Sequence, residues 1–463
     1  MRRQFAWSFA AQAFGLLLPL LLIIALARIL EPSDFGVFAL LAITIAGIQA
    51  VSLAPLGEVI VKSSREDIGD FIFTMQLLLG MAMSALLLIS ADHIADFFRK
   101  PELADPLRVS CLLLLLTPLV DTAIRLSMKR IEFKAVFVRR VVSPVGNALI
   151  SLPLALSGMG YWALVWGQIG GILAAGLVVL SMGEWRPRLN LQVRSFHDDL
   201  RFSRQMLLQG MVRWVRSQSD KAILGYHITS AGLGQYDMAC RLAGMPFAAI
   251  VDPVTQVMYA VMADKIRRGE EIRELFMLTQ RRVLMVTLPL CAIMLINAKG
   301  LIIIILGARW LDISAIFIVM AARGAFSSMV GSNMEVFKAT GKPHIMTRFM
   351  LVRAAVTLVV FLALAPMGVY AIAIGVLGLA CVFSPVNVYL TLRLLGVHVR
   401  SYFARVLLRP VLIAGTVTAV NLALIRLPID HIQTTLLNIA VGGLIMAAAG
   451  LCWERDLFRW RRV

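Results

Sequence analysis

Arg213, Arg216, Lys221, Arg241, Lys299, Arg323 and Arg353 all fall inside long apolar stretches, where an ionised side chain costs at least about 2.5 to 3.5 kcal/mol unless protein or water surrounds it. Between residues 203 and 225, Gln205, Gln209, Arg213, Arg216 and Asp220 recur at steps of three or four, which lines them along one helical face. The next stretch carries Asp237 and Arg241 one turn apart, with Asp252 further along, and Arg323 lies near the middle of a later one. Arginines converging on a wetted cavity suit a phosphate or pyrophosphate group, because a planar guanidinium donates two parallel hydrogen bonds to its oxygens. Asp220, Asp237 and Asp252 suit a second task. A carboxylate in a poorly hydrated cavity gains and loses a proton as its surroundings change, which couples movement of a ligand to an ion gradient.

The same residues have structural readings. Asp237 with Arg241, and Arg216 with Asp220, also read as neutralising pairs that hold helices together. Lys221 and Lys299 read as snorkelling toward an interface, and Arg353 as an extension of a basic band at one membrane face. Glu58, and Asp121 with Arg125, read equally well as structural or functional groups near that face.

The elements that carry these charges are set by composition. Of 463 residues, 59% are hydrophobic and 16% charged, with a mean hydropathy of +0.83, whereas a soluble domain carries about a quarter charged residues. Apolar runs of spanning length follow one another at 6–30, 35–61, 70–91, 105–127, 140–157, 160–182, 203–225, 232–262, 276–306, 311–337, 344–366, 368–395, 402–427 and 432–453. They predict an all-α polytopic membrane protein of about 14 transmembrane helices. Arg2-Arg3 followed by an apolar run imitates a signal peptide, but the run is longer than such a segment and reads as the first span.

Lys and Arg alternate between successive loops. With the N-terminus inside, the cytoplasmic ends hold about 32 of the 45 basic residues and the opposite side about six, so both termini are expected in the cytoplasm. The net charge of +18 is thereby a topology signal, and no soluble basic face for nucleic acid is expected.

A repeat organises the spans. Arg28 to Phe38 reads RILEPSDFGVF, and 198 residues later Tyr226 to Tyr236 reads YHITSAGLGQY. In the same register Pro55 falls opposite Pro253, each expected to kink the second span of its half. Leu154 to Leu164 (LALSGMGYWAL) matches Leu362 to Ile372 (LALAPMGVYAI) at an offset of 208. Duplication of a six-helix unit explains all three. It predicts an N-terminal lobe at 1–182, a cytoplasmic linker at 183–202, a second lobe at 203–396, and two added helices with a tail at 397–463. Two such lobes imply a carrier with its site at their interface.

Several chemistries have no residues to carry them. Thr340-Gly341-Lys342-Pro343 lacks the rest of a nucleotide-binding loop. No HExxH or GxSxG string occurs, and the outer loops are too short for a catalytic domain, so no enzyme and no cofactor or metal is expected. The segment Ser90 to Asp105, with Asp92, His93 and Asp96, reads as a solvated turn. Cys111, Cys240, Cys291, Cys381 and Cys452 stand singly in apolar stretches and read as reduced packing residues.

Four stretches carry a family resemblance: LARILEPSDFGVFAL at Leu26 to Leu40, SDKAILGYHITSAGLGQYDMACRLAGMP at Ser219 to Pro246, GYWALVWGQ at Gly160 to Gln168, and LGARWLDISAIFIVMA at Leu306 to Ala321. In order and spacing they resemble the Wzx-like lipid-linked oligosaccharide flippases, the polysaccharide-export branch of the multidrug/oligosaccharidyl-lipid/polysaccharide flippase superfamily. The resemblance covers most of the chain to about residue 400. It implies two lobes around a cationic cavity in the bacterial inner membrane, with the undecaprenyl-pyrophosphate-linked oligosaccharide as substrate and a cation gradient as drive. It also admits a polysaccharide polymerase and co-polymerase as protein partners.

On that resemblance, Arg213, Arg216, Arg241, Arg323 and Gln209 are the expected cavity residues, although the family fixes no motif at these positions. Asp220, Asp237 and Asp252 are the expected ion-coupling residues. A cation-coupled multidrug exporter and a peptidoglycan-precursor flippase of the same superfamily are the competing expectations. The first would favour an acidic, aromatic cavity, which the arginines of the second half disfavour.

Overall fold

The computed structural model describes residues 2–63, 65, 67–129, 134–181, 185–191, 197–426 and 431–453. These residues form helices and connecting turns, with no strand among them. In chain order the helices are α1 (Arg2–Ile29), α2 (Pro32–Val51), α3 (Leu53–Lys62), α4 (Ile68–Phe97), α5 (Ala104–Lys129), α6 (Lys134–Leu156), α7 (Tyr161–Ser181), α8 (His197–His227) and α9 (Ser230–Arg267). They continue as α10 (Arg273–Ile296), α11 (Ala298–Ile305), α12 (Ser314–Ser328), α13 (Asn333–Ala339), α14 (Pro343–Leu364), α15 (Val369–Leu394), α16 (Val399–Tyr402), α17 (Leu408–Leu424) and α18 (His431–Trp453). A π-helical segment, Phe403–Leu407, joins α16 to α17. Among the described residues, 11 helical segments are long and apolar enough to cross a bilayer. Their outward faces carry large apolar side chains, such as Ile89 at 76% exposure and Leu177 at 60%, which only a lipid solvent would favour.

Several expected spans are broken, each for a local reason. The run 35–61 divides into α2 and α3 at Ser52, whose φ of −124° and ψ of −71° leave the helical region. Pro55, three residues on, has no N–H to offer the carbonyl of Val51, which fits a break at this point. Pro253, its counterpart in the repeat, lies inside the uninterrupted α9. The run 276–306 divides at Asn297, whose Nδ2 donates to the Ile293 carbonyl at 3.0 Å. The run 311–337 divides into α12 and α13.

The helices fall into two compact units, Met1–Asp237 and Met238–Val463. In the first, α6 packs on α7 and α1, α4 on α5, and α8 on α2 and α3. An apolar cluster of Leu56, Ile60, Ile68, Phe71, Ile72 and Leu126 fixes α3 against α4 and α5. In the second, α10 is the hub, contacting α12, α17 and α18. Met262, Phe276, Leu284, Val336, Tyr402 and Val406 form its main buried cluster. The added helix α18 is tied in by Asn438, whose Nδ2 donates to Asn297 Oδ1 at 2.7 Å.

Two glycine pairs related by the repeat behave alike. Gly160 and Gly368 precede α7 and α15 with φ of +55° and +93°, a conformation in which a side chain is strained. In the first unit, Gly36 and Gly234 meet each other's turns. A Cβ on Gly36 would lie 1.7 Å from the Ser230 carbonyl oxygen, and one on Gly234 would lie 1.8 Å from that of Pro32. Because residues 32 and 230 are separated by the same 198 positions as 36 and 234, the two contacts are reciprocal. The equivalent turns cross at their glycines.

Candidate functional site

The polar stripe predicted between residues 203 and 225 lies on α8, which leans on α2 through small residues. A Cβ on Gly210 would lie 2.7 Å from the Ala50 carbonyl oxygen, and one on Gly47 would lie 3.2 Å from the Trp214 ring. Such contacts let two backbones approach closely in a medium where packing replaces the hydrophobic effect. Trp214 is locked across the contact, its indole Nε1 donating to the Ile43 carbonyl at 3.1 Å.

Where α2 ends at Ser52, α3 turns away and a cleft of about 250 Å³ opens between α2, α3 and α8. Gln49, Pro55 and Glu58 line one wall, and Arg213, Trp214 and Gln218 the other. Arg213 is exposed, and no ion pair or hydrogen bond engages it among the described residues. Glu58 is already engaged: its Oε1 lies 3.2 Å from Arg125 Nη1. Arg125 Nε donates in turn to Asp121 Oδ2 at 2.8 Å, and Gln76 Nε2 reaches the same oxygen at 3.4 Å. This cluster of two carboxylates and one guanidinium joins α3 to α5. The one-turn spacing of Asp121 and Arg125 was visible in the sequence, but their connection to Glu58 depends on the break at Ser52.

The remaining expected residues are distributed as follows. Arg216 is exposed on α8, three residues from Arg213. Gln209 lies in α8, but its side chain is outside the described residues. Asp220 is half-buried; its Oδ2 accepts a hydrogen bond from the Tyr236 hydroxyl at 2.8 Å, while its Oδ1 is buried with no partner among the described residues. Asp237 lies 2.7 Å from Lys221 Nζ, and the two side chains are only 4% and 15% exposed. The snorkelling expected of Lys221 is therefore wrong. Its ammonium turns inward because Asp237, presented by α9, neutralises it there.

The second unit holds Arg241, half-buried, and Asp252, exposed, on α9, and Arg323, exposed, on α12. These two helices pack together where a Cβ on Gly324 would meet the Phe247 ring at 2.2 Å, and in the turn after α12 one on Gly331 would meet Val251 at 2.3 Å. Lys299 is exposed on α11. Arg353 stacks over the Phe383 ring at 5.8 Å, a cation–π contact between α14 and α15 that holds it within the helix bundle. Cys111 and Cys291 are buried in helix packing.

A second cleft, about 560 Å³ and lined chiefly by Ile43, Ile48, Phe97, Phe98, Met211 and Trp214, opens on the other side of Trp214. It is almost wholly apolar. Trp214 thus divides a polar recess from an apolar one, a role nothing in the residue spacing announced.

This arrangement offers a cation and polar side chains to an anionic group, beside an apolar wall. A family model described as "Polysaccharide biosynthesis protein" matches residues 25–315. Relatives include the succinoglycan biosynthesis transport protein ExoT of Rhizobium meliloti (strain 1021), 22% identical over 361 residues that cover 77% of this chain and 72% of that one. Another is the lipopolysaccharide biosynthesis protein WzxC of Escherichia coli (strain K12), 21% identical over 353 residues, 74% of this chain and 70% of that one. Among solved structures, the lipid II flippase MurJ in an inward closed conformation shares the fold with a TM-score of 0.75 at 14% identity, covering 99% of this chain and 100% of that one. An inward-facing MATE family multidrug transporter gives 0.65 at 13% identity, covering 82% and 94%. The chain therefore belongs to the polysaccharide biosynthesis protein family and shares the multi-helix fold of these solved structures.

Proposed function

We propose that this protein is a flippase that carries an undecaprenyl-pyrophosphate-linked oligosaccharide repeat unit from the cytoplasmic to the periplasmic leaflet by alternating access. The observation that carries the reading is Arg213: an exposed guanidinium without a counter-ion among the described residues, lining a polar cleft on a helix set among membrane-spanning neighbours. An arginine is kept there against an insertion cost of at least about 2.5 kcal/mol, and a pyrophosphate supplies the missing counter-charge through paired hydrogen bonds. The family and its relatives' roles in succinoglycan and lipopolysaccharide biosynthesis support export for an exopolysaccharide, capsule or O-antigen. The chain is not an enzyme, and the work asked of it is displacement.

Arg216, Arg241, Arg323 and Gln209 extend the binding surface in this reading. Asp220 and Asp252 couple it to an ion gradient, whereas Asp237, closed against Lys221, holds α8 to α9. The buried Oδ1 of Asp220, without a hydrogen-bond partner among the described residues, favours the coupling role, since it is available to accept a proton. Fourteen spans follow when α1, α6 and the polar α8 are added to the 11 apolar segments. The alternation of basic loops supports cytoplasmic termini, and the reciprocal glycine crossing supports two related lobes.

The reading is tested by polymer export in cells lacking the native gene and supplied with Arg213→Ala or Arg323→Ala. Export is expected to fail in both while membrane abundance matches the wild type. Normal export in both would remove the proposed site.

A further inference from the structure

Far along the chain from the α2–α8 cleft, a larger recess of about 650 Å³ opens where α10 and the π-helical entry to α17 run side by side. Four cations line it: Lys265 from the end of α9, Arg281 from α10, and Arg405 and Arg409 from the segment around the π turn. The one carboxylate in the lining is Glu274, 3.4 Å from Arg405 Nη1, and Lys265 is also paired with Glu270 at 2.6 Å. Counting the lining residues alone, four positive charges face one negative.

A basic band at the membrane face would account for cations at helix ends. It does not account for their convergence, from segments more than a hundred positions apart, around one concavity. Arg281 lies eight residues inside α10, about 12 Å along the axis from its first residue, so it is set back from the helix end. The π segment adds one residue to the turn between α16 and α17, a distortion that often marks functional positions. Leu275 and Leu278 supply an apolar part of the wall. Phe403, Leu408, Val411 and Leu412 beside it are exposed, a surface suited to acyl chains.

From this we infer that the α10–α17 recess binds the phosphate-bearing headgroup of an anionic phospholipid, with Arg281, Arg405 and Arg409 on the phosphate and the acyl chains along the exposed face of α17. Basic pockets between spanning helices hold anionic headgroups by this combination of charge and depth. The site is separate from the carrier cleft and stands whether or not the protein moves a lipid-linked sugar.

The purified full chain in a neutral detergent provides the test, with bound lipid counted by native mass spectrometry and thermal stability followed in parallel. Phosphatidylglycerol is expected to be retained by the wild type and to raise its Tm, whereas phosphatidylcholine and inorganic phosphate leave both unchanged. Arg405→Gln with Arg409→Gln should bind phosphatidylglycerol about thirtyfold more weakly, the fold-change for about 2 kcal/mol over two lost charges. The Arg405→Lys with Arg409→Lys variant should retain most of the binding, which separates lost charge from lost fold, and the exposed Arg348→Gln should bind as the wild type does. Equal retention by the double Gln variant, or equal binding of phosphatidylcholine, would overturn the proposal. Stabilisation by inorganic phosphate alone would reassign the recess to a soluble anion.

Discussion

Two cations on α8, two turns apart, meet opposite fates. Lys221 is folded inward against Asp237 and shielded from solvent, while Arg213 stands exposed on a cleft wall with no counter-charge among the described residues. Both are ionised groups inside a membrane protein, yet only one has been neutralised by the chain itself. A closed pair is a structural element, whose removal as a unit changes little. An open guanidinium is a standing cost, which the proposed reading assigns to a ligand.

The comparison is broken most forcefully at the closed pair. Asp237→Ala removes the buried carboxylate that faces the Lys221 ammonium and is expected to cost about 3 to 5 kcal/mol, read as a large fall in Tm of the purified protein. Lys221→Met combined with Asp237→Leu should recover most of that loss. If the single variant were as stable as the wild type, the pair would not be holding α8 to α9. Next in size, Gly210→Leu drives a side chain into the Ala50 carbonyl; overpacking of this kind costs about 1 to 3 kcal/mol and should widen the α2–α8 contact, measured by cross-linking of cysteines placed across it.

Arg213→Ala falls lower on the same scale. As an exposed residue with no internal partner, it should change stability by less than about 0.5 kcal/mol while abolishing transport, and a Tm drop matching that of Asp237→Ala would place it with the structural charges. Smallest is Asp67, in the turn before α4. Its carboxylate is held below the usual range by hydrogen bonds from Arg65. The stability this gives is fully present above the unfolded carboxylate's range and is lost as pH falls through the lowered folded value. Wild type and Asp67→Asn should therefore differ by about 0.2 to 0.5 kcal/mol near neutrality and converge in acid, as a pH series of melting curves would show.

Much of the fold was legible because its signals are local and strong. Runs of apolar residues longer than a bilayer is thick, and turns of the Pro-x-Asp-Phe-Gly type at Pro32 to Gly36, each leave a periodic trace in the sequence. The breaks at Ser52 and Asn297 were not legible. At Ser52 the Val51 carbonyl lacks a helical donor because Pro55 has no N–H, at Asn297 a side-chain amide adds a second bond to the Ile293 carbonyl, and the hydropathy of the surrounding run hides both changes. Pro55 signalled the first break; Pro253, in the same register, sits in an unbroken helix, so the proline alone does not decide the outcome.

The site divided in the same way. Period and residue type placed Arg213, Arg216 and Asp220 on one face of α8. Partners on a second helix were beyond reach, because a sequence displays only intrahelical neighbours such as Asp237 and Arg241, four residues apart. The contact to Lys221 requires α8 and α9 to fold back on each other, and no spacing encodes that distance.

The most direct test of the central claim is leaflet translocation in sealed vesicles containing the purified protein and a fluorescent undecaprenyl-pyrophosphate oligosaccharide, followed by quenching from one side. The wild type should transfer the label across the bilayer, and Arg213→Ala, inserted at equal density with an unchanged melting curve, should not. Equal transfer rates for the two proteins would contradict the account.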